Sequence, residues 1–240
     1  MARMYRYYEF DGFPELKPWE PVVFGRNPQL LASLTEQERT TMRQVGESDN
    51  PAFAKYFVEH ESPRETVWRV GSEIRRGRLL EVLEFHIFRH KVDGYFLIEA
   101  NDRVVRELCR RLSLRSPELK VRRREVDLPQ ARAALSATVS GGYFGGLTVE
   151  NVSSAAIYGP DVSDSEMWSY LSQHGDLNGL WLRFTYLGSE QGALVTRNGG
   201  VMPLTTAQEN AALDMVAAVN DLIAPFSSLV EQSMRRRAKG

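Results

Sequence analysis

Turns marked by glycine and proline divide this chain into short apolar segments. Asp93-Gly94, the stretch Ser140-Gly141-Gly142-Tyr143-Phe144-Gly145-Gly146, and Asn198-Gly199-Gly200 each stand between short apolar segments. Such dipeptides favour tight reversals between strands. Pro14, Pro18, Pro21 and Pro28 forbid a long helix over residues 1–32. The aromatics between them, among them Tyr5, Tyr7, Tyr8, Phe10 and Phe13, argue for burial, so this stretch reads as an extended arm packed on a body, its own or a partner's.

The segments between the turns carry both periods. Thr35 with Glu38 makes a capping box for a short helix closed by Gly46, and a second helical stretch is expected near 51–60. Leu79–Phe88 and Tyr95–Ile98 read as two strands of a hairpin. Asn101 or Asp102 caps a helix with a stripe at Val104, Val105, Leu108 and Leu112. Residues 119–126 read as a strand, and Pro129 starts a helix through about Val139. The glycine-rich stretch at 141–146 reads as a hinge and a domain boundary. Beyond it come one or two strands over 147–158, a helix capped by Ser163 with Glu166, and strands at Leu180–Leu187 and Ala193–Thr196. After a further strand at Val201–Leu204, a long helix begins near Thr205, and Pro225 kinks or ends it. An amphipathic helix then runs to Arg235-Arg236-Arg237. The pattern predicts an α+β fold with mixed, largely antiparallel sheets and flanking helices in two subdomains. The expected divisions are an arm with short helices at 1–63, a β-β-α-β-α region at 64–140 and an α+β region at 141–240.

Charge divides the chain the same way. The net charge is −1, yet residues 64–124 hold 16 Lys and Arg against 9 Asp and Glu. Residues 125–240 hold 7 against 12. Fourteen of those 16 cations are Arg, whose planar fork suits phosphate oxygens. Arg103, Arg106, Arg110 and Arg111 lie off the apolar stripe of their helix, and Arg115 continues from its end. Strand alternation sets Lys120, Arg122 and Arg124 on one face. Repulsion along such a face is relieved when it meets an anion. These eight residues are the candidate nucleic-acid-binding set, for DNA or RNA, through backbone rather than base contacts. A rival reading has the basic face dock an acidic protein surface, in a homo-oligomer or a larger assembly, or pair with the acidic half of the chain.

The pattern carries no catalytic, cofactor or metal signature of comparable weight. His86 and His90 share a face but sit about 13 Å apart if their segment is a strand, too far for one metal. Glu118-Leu119-Lys120 is the E-x-K of metal-dependent nucleases, a third reading, without an adjacent upstream acid. Cys109 is the only cysteine, so it forms no internal disulfide and fits a reducing cytoplasm. The first residues lack a secretory apolar core, and no run is long enough to span a membrane.

Overall fold

Alternating apolar and polar residues turn most segments of the chain into strands. The computed structural model describes residues 3–13, 22–24, 39–134, 137–204 and 208–231. It opens with β1 (Tyr5–Asp11), β2 (Val22–Phe24) and β3 (Thr40–Glu47). Two strands of 18 residues each follow, β4 (Phe53–Val70) and β5 (Glu73–His90). Then come β6 (Phe96–Ile98), α1 (Asp102–Arg115), β7 (Lys120–Val126) and α2 (Leu128–Ala134). β8 (Thr138–Val149), β9 (Val152–Tyr158), α3 (Glu166–His174) and β10 (Asp176–Tyr186) continue the chain. It closes with β11 (Ser189–Thr196), β12 (Gly200–Pro203), α4 (Glu209–Ile223) and β13 (Ser227–Glu231). The class is mixed α+β, with antiparallel sheet flanked by helices. Among the described residues, no helix is long and apolar enough to cross a membrane.

Two compact units emerge, Glu9–Val121 and Met1–Tyr8 with Arg122–Glu231. In the first, β2, β3, β4, β5 and β6 pair in that order, every neighbour antiparallel. Gly94 turns β5 into β6 at φ +71°, as its dipeptide predicts. Phe96 sits under Phe13 and Phe10, with ring centroids 4.5 and 4.9 Å away. α1 buries Val104, Val105, Leu108 and Leu112, the stripe read from the sequence.

In the second unit the order β12-β11-β10-β8-β9 is again antiparallel. The start of β1 adds to this sheet, Tyr5 opposite Val201 and Arg6 opposite Gly200. β7 pairs with β13. α4 buries Leu213, Val216, Val219 and Ile223, and Pro225 lies in the 3₁₀ turn that ends it.

Several local expectations are corrected. Residues 40–47 are β3, not the end of a helix, and residues 53–60 belong to β4. Thr35 and Glu38 lie outside the described residues. β-Branched and aromatic residues with a partner on each side outweigh a capping pattern here. The helix at Pro129 is described over Leu128–Ala134, and Val139 lies in β8 rather than in that helix. Ser165, not Ser163, caps α3 by accepting from the Trp168 N–H at 3.2 Å. Residues 227–231 form a strand rather than a helix, because β7 offers an edge to pair with. The expected arm over 1–32 is represented by β1 and β2, and its prolines lie outside the described residues, as does Arg235-Arg236-Arg237.

The glycine-rich stretch is no hinge. Gly141–Gly146 lies inside β8, between β9 and β10. A Cβ at Gly142 would come within 2.4 Å of Trp168 Cζ3. Trp168 is buried and packs edge-on against Phe144, 5.1 Å between centroids. The glycine therefore admits the indole of α3 onto the sheet. Gly142→Ala is expected to destabilise the protein by about 1–3 kcal/mol through overpacking. A lower urea midpoint with an unchanged m-value is the result that checks it.

Candidate functional site

α1 holds most of the cations singled out in the sequence. Asn101 caps it, its Oδ1 accepting from the Val104 N–H at 3.0 Å. Arg103 and Arg115 are exposed on this helix. Arg106 is 59% exposed and bonds Asp102 one turn earlier, at 3.0 Å. Arg110 donates from Nε to Glu107 Oε2 at 2.9 Å. Lys120 is exposed at the start of β7.

Two of the eight cannot meet a partner directly. Arg111 is 0% exposed. Its Nε donates to Glu107 Oε1 at 3.1 Å, and its Nη1 to the Arg39 carbonyl and Thr40 Oγ1, both at 2.9 Å. Its Nη2 donates to the Glu61 carbonyl at 2.8 Å. This guanidinium thus ties α1 to β3 and β4. Arg124 is buried in the other unit, its guanidinium 3.7 Å from the centre of the Tyr7 ring. It donates to the Asn220 carbonyl at 2.7 Å and to Asn220 Oδ1 at 3.1 Å. Arg122 is half-buried beside it on the strand. The eight are split between the units: Arg103 to Lys120 belong to one, Arg122 and Arg124 to the other. Position off an apolar stripe did not distinguish an exposed cation from one drawn inward by carbonyl acceptors.

Arg111 also sets the chemistry of its neighbours. Burial would raise the Glu107 carboxyl, but hydrogen bonds and charge from Arg110 and Arg111 outweigh it and hold the group at about 2. His60 is buried, with Nδ1 2.9 Å from Thr40 Oγ1. Burial first, then the Arg111 charge, lowers it from 6.5 to about 4. Between these values the unfolded chain protonates His60 while the folded chain does not. Stability is therefore expected to fall by about 3 kcal/mol as pH drops from about 6.5 to 4. Glu107 adds a further loss below 4.5. Urea midpoints at pH 7 and 4.5 check the first window, where His60→Gln should flatten the change. An equally steep fall in that variant would contradict the assignment.

The sequence reading passed over the most distinctive feature of the basic block. β4 and β5 pair continuously from Phe53↔His90 to Val70↔Glu73, joined by Gly71 and Ser72. At the inner end, Tyr56, Val58, Phe85 and Ile87 are buried in the unit's core. Over 64–82, every residue whose burial is described is exposed or half-exposed. The outer part is therefore a solvated two-stranded ribbon carrying exposed Arg64, Arg69, Arg75 and Arg76. Register puts Val67, Arg69, Ile74, Arg76, Leu80 and Val82 on one face. The aliphatic members of that face are strongly exposed, Ile74 at 72% and Val67 at 60%. Gly71-Ser72 between Val70 and Glu73 was the available signal, a two-residue turn that needs φ > 0, and Gly71 sits at +63°.

The remaining chemical candidates find other uses. His86 and His90 lie on β5. His86 faces Glu99 with 3.3 Å between Nδ1 and Oε2, and His90 stacks on Tyr95 with centroids 4.8 Å apart. Burial pushes the Cys109 thiol up, so it stays protonated inside α1. Glu118 is exposed ahead of β7, with Leu119 buried between it and Lys120. Among the described residues, no group of three or more His, Cys, Asp and Glu could hold a metal ion. No family model matches the chain, and no curated protein matches it in sequence.

Proposed function

We propose that this chain is a non-enzymatic module that binds nucleic-acid backbone as a component of a larger assembly. Its contacts come from the ribbon arginines Arg64, Arg69, Arg75 and Arg76, with Arg103, Arg106, Arg115 and Lys120 as further cations of the same unit. The observation that carries the reading is the ribbon. A two-stranded antiparallel ribbon is one of the elements a major groove admits. Its exposed arginines match phosphate geometry, and β-branched neighbours keep the strand extended. A mobility shift with a random-sequence duplex tests it at about 50 mM salt. Retarded wild type and unretarded Arg69→Glu/Arg76→Glu is the expected pair of results. A wild type that fails to bind either DNA or RNA there removes the proposal.

A second reading, a protein-interaction subunit, rests on the aliphatic face of the same ribbon. Isolated two-stranded ribbons are marginal in water, and Val67, Ile74, Leu80 and Val82 would be shielded by a partner. Light scattering at two salt concentrations separates the readings. A homo-oligomer without nucleic-acid affinity favours the second.

A further inference from the structure

Three arginines converge in the unit that carries the net acidic charge. Residues 122–231 hold 6 Arg and no Lys against 12 Asp and Glu. Two of those six, Arg123 and Arg197, line one recess of about 570 Å³ together with Arg6. Glu125, Tyr143, Asn178, Thr196 and Asn198 complete its wall. All of them belong to Met1–Tyr8 or Arg122–Glu231. We propose that this recess binds the phosphate group of a small phosphate ester. The proposal is independent of the ribbon reading, since it concerns other residues in the other unit.

The main chain fixes the points from which the arginines reach the recess. Arg6 sits opposite Gly200 in the β1–β12 register. Arg123 lies on β7, opposite Val230. The Arg197 N–H donates to the Asn178 carbonyl at 3.0 Å, and the Arg197 carbonyl accepts from the Val126 N–H at 2.7 Å. Thr196 Oγ1 donates to Asn198 Oδ1 at 2.7 Å and accepts from the Gly200 N–H at 2.9 Å, which locks the turn beside it. Such preorganisation lowers the ordering cost of binding.

The lining of the larger recess favours an anion. Arg123 pairs with Glu125 on the same strand. Arg197 meets Asp176 only at 3.8 Å, with side chains 57% and 73% exposed, a pair of little worth. Asp176 lines an adjoining recess of about 360 Å³ that shares Glu125 and Arg197. Asp127 lines it too, but its two oxygens are engaged by Gln130 at the start of α2. Three guanidiniums and one carboxylate, Glu125, line the larger recess, a net positive wall that suits the oxygens of a phosphate monoester. Tyr143 is 41% exposed on the wall and offers an aromatic face to the organic part of the ester.

Calorimetry on the full chain with phenyl phosphate and inorganic phosphate tests the site. One saturable site is expected, with phenyl phosphate the tighter ligand. Arg197→Gln should weaken both at least about tenfold. This residue is exposed, so the variant should fold. Tyr143→Ala should abolish the preference for phenyl phosphate and leave inorganic phosphate bound. Absence of saturable binding up to about 10 mM would overturn the proposal. So would affinity unchanged in both Arg197→Gln and Arg123→Gln. A duplex oligonucleotide that displaces phenyl phosphate would overturn the small-ligand assignment. Loss of duplex binding in the ribbon variants would leave this site untouched, which keeps the two proposals separable.

Discussion

Replacing Arg111 with Met will cost the protein about 3–5 kcal/mol of stability. The guanidinium is fully buried and serves four acceptors, Glu107 Oε1, the Arg39 and Glu61 carbonyls and Thr40 Oγ1. Met fills much of the volume but leaves those oxygens without this donor, Thr40 Oγ1 among them in a fully buried position. An unsatisfied buried polar group costs roughly 1–3 kcal/mol, more when a charge is involved. Arg110 still pairs with Glu107, which bounds the loss. Arg111→Lys should rescue only partly, because an ammonium presents its donors from one point rather than as a fork. Arg103→Met, an exposed change on the same helix, should stay within about 0.5 kcal/mol. Urea unfolding of the three variants checks the set. Equal midpoints for Arg111→Met and Arg103→Met would refute the structural role of Arg111.

The second large effect concerns binding. Changing Arg64, Arg69, Arg75 and Arg76 to Gln together should lower duplex affinity by about two orders of magnitude or more at low salt, since each phosphate contact adds to the counterion-release term. These side chains are exposed, and their only described ion pair is Arg75 with Glu73 at 3.1 Å, both largely solvated. The variant should therefore fold with unchanged stability. A matched set on α1 and at the start of β7, Arg103, Arg106, Arg115 and Lys120 to Gln, should weaken binding less, because Arg106 is already shared with Asp102. Val67→Ser with Ile74→Ser is the useful contrast. Retained duplex binding with lost self-association would assign the aliphatic face to a protein contact and the arginines to nucleic acid.

How much of this was legible in the sequence depends on which forces set each element. Local signals carried α1, where Asn101 and an apolar stripe act within a few residues, and the turns at Asp93-Gly94 and Asn198-Gly199. The glycines of β8 misled because their reason is distant. Gly142 is small to admit Trp168, some 26 residues later, and spacing alone cannot separate that from a hinge. The capping box at Thr35 failed as a guide to residues 40–46 because sheet pairing supplied a stronger alternative. The site residues divide in the same way. Charge composition marked the basic block, and Arg103, Arg106, Arg115 and Lys120 are indeed exposed. The inward turn of Arg111 depends on carbonyls of Arg39 and Glu61, and that of Arg124 on Tyr7 and Asn220. None of these acceptors is near in sequence. The ribbon itself is written locally, at Gly71-Ser72, but a strand confined to Leu79–Phe88 does not reach that turn. The recess at Arg6, Arg123 and Arg197 joins three distant segments, so no window of sequence contains it.

The central claim is that the outer β4–β5 ribbon meets phosphates. Its most direct test is the salt dependence of duplex binding, followed by fluorescence anisotropy from about 50 to 200 mM salt. Wild type should give log K falling linearly with log salt, with a slope of about −4 to −7. The four-Gln ribbon variant should lose about 3–4 units of that slope. Superimposable slopes for the two proteins, or a wild type whose affinity ignores salt, would contradict the account.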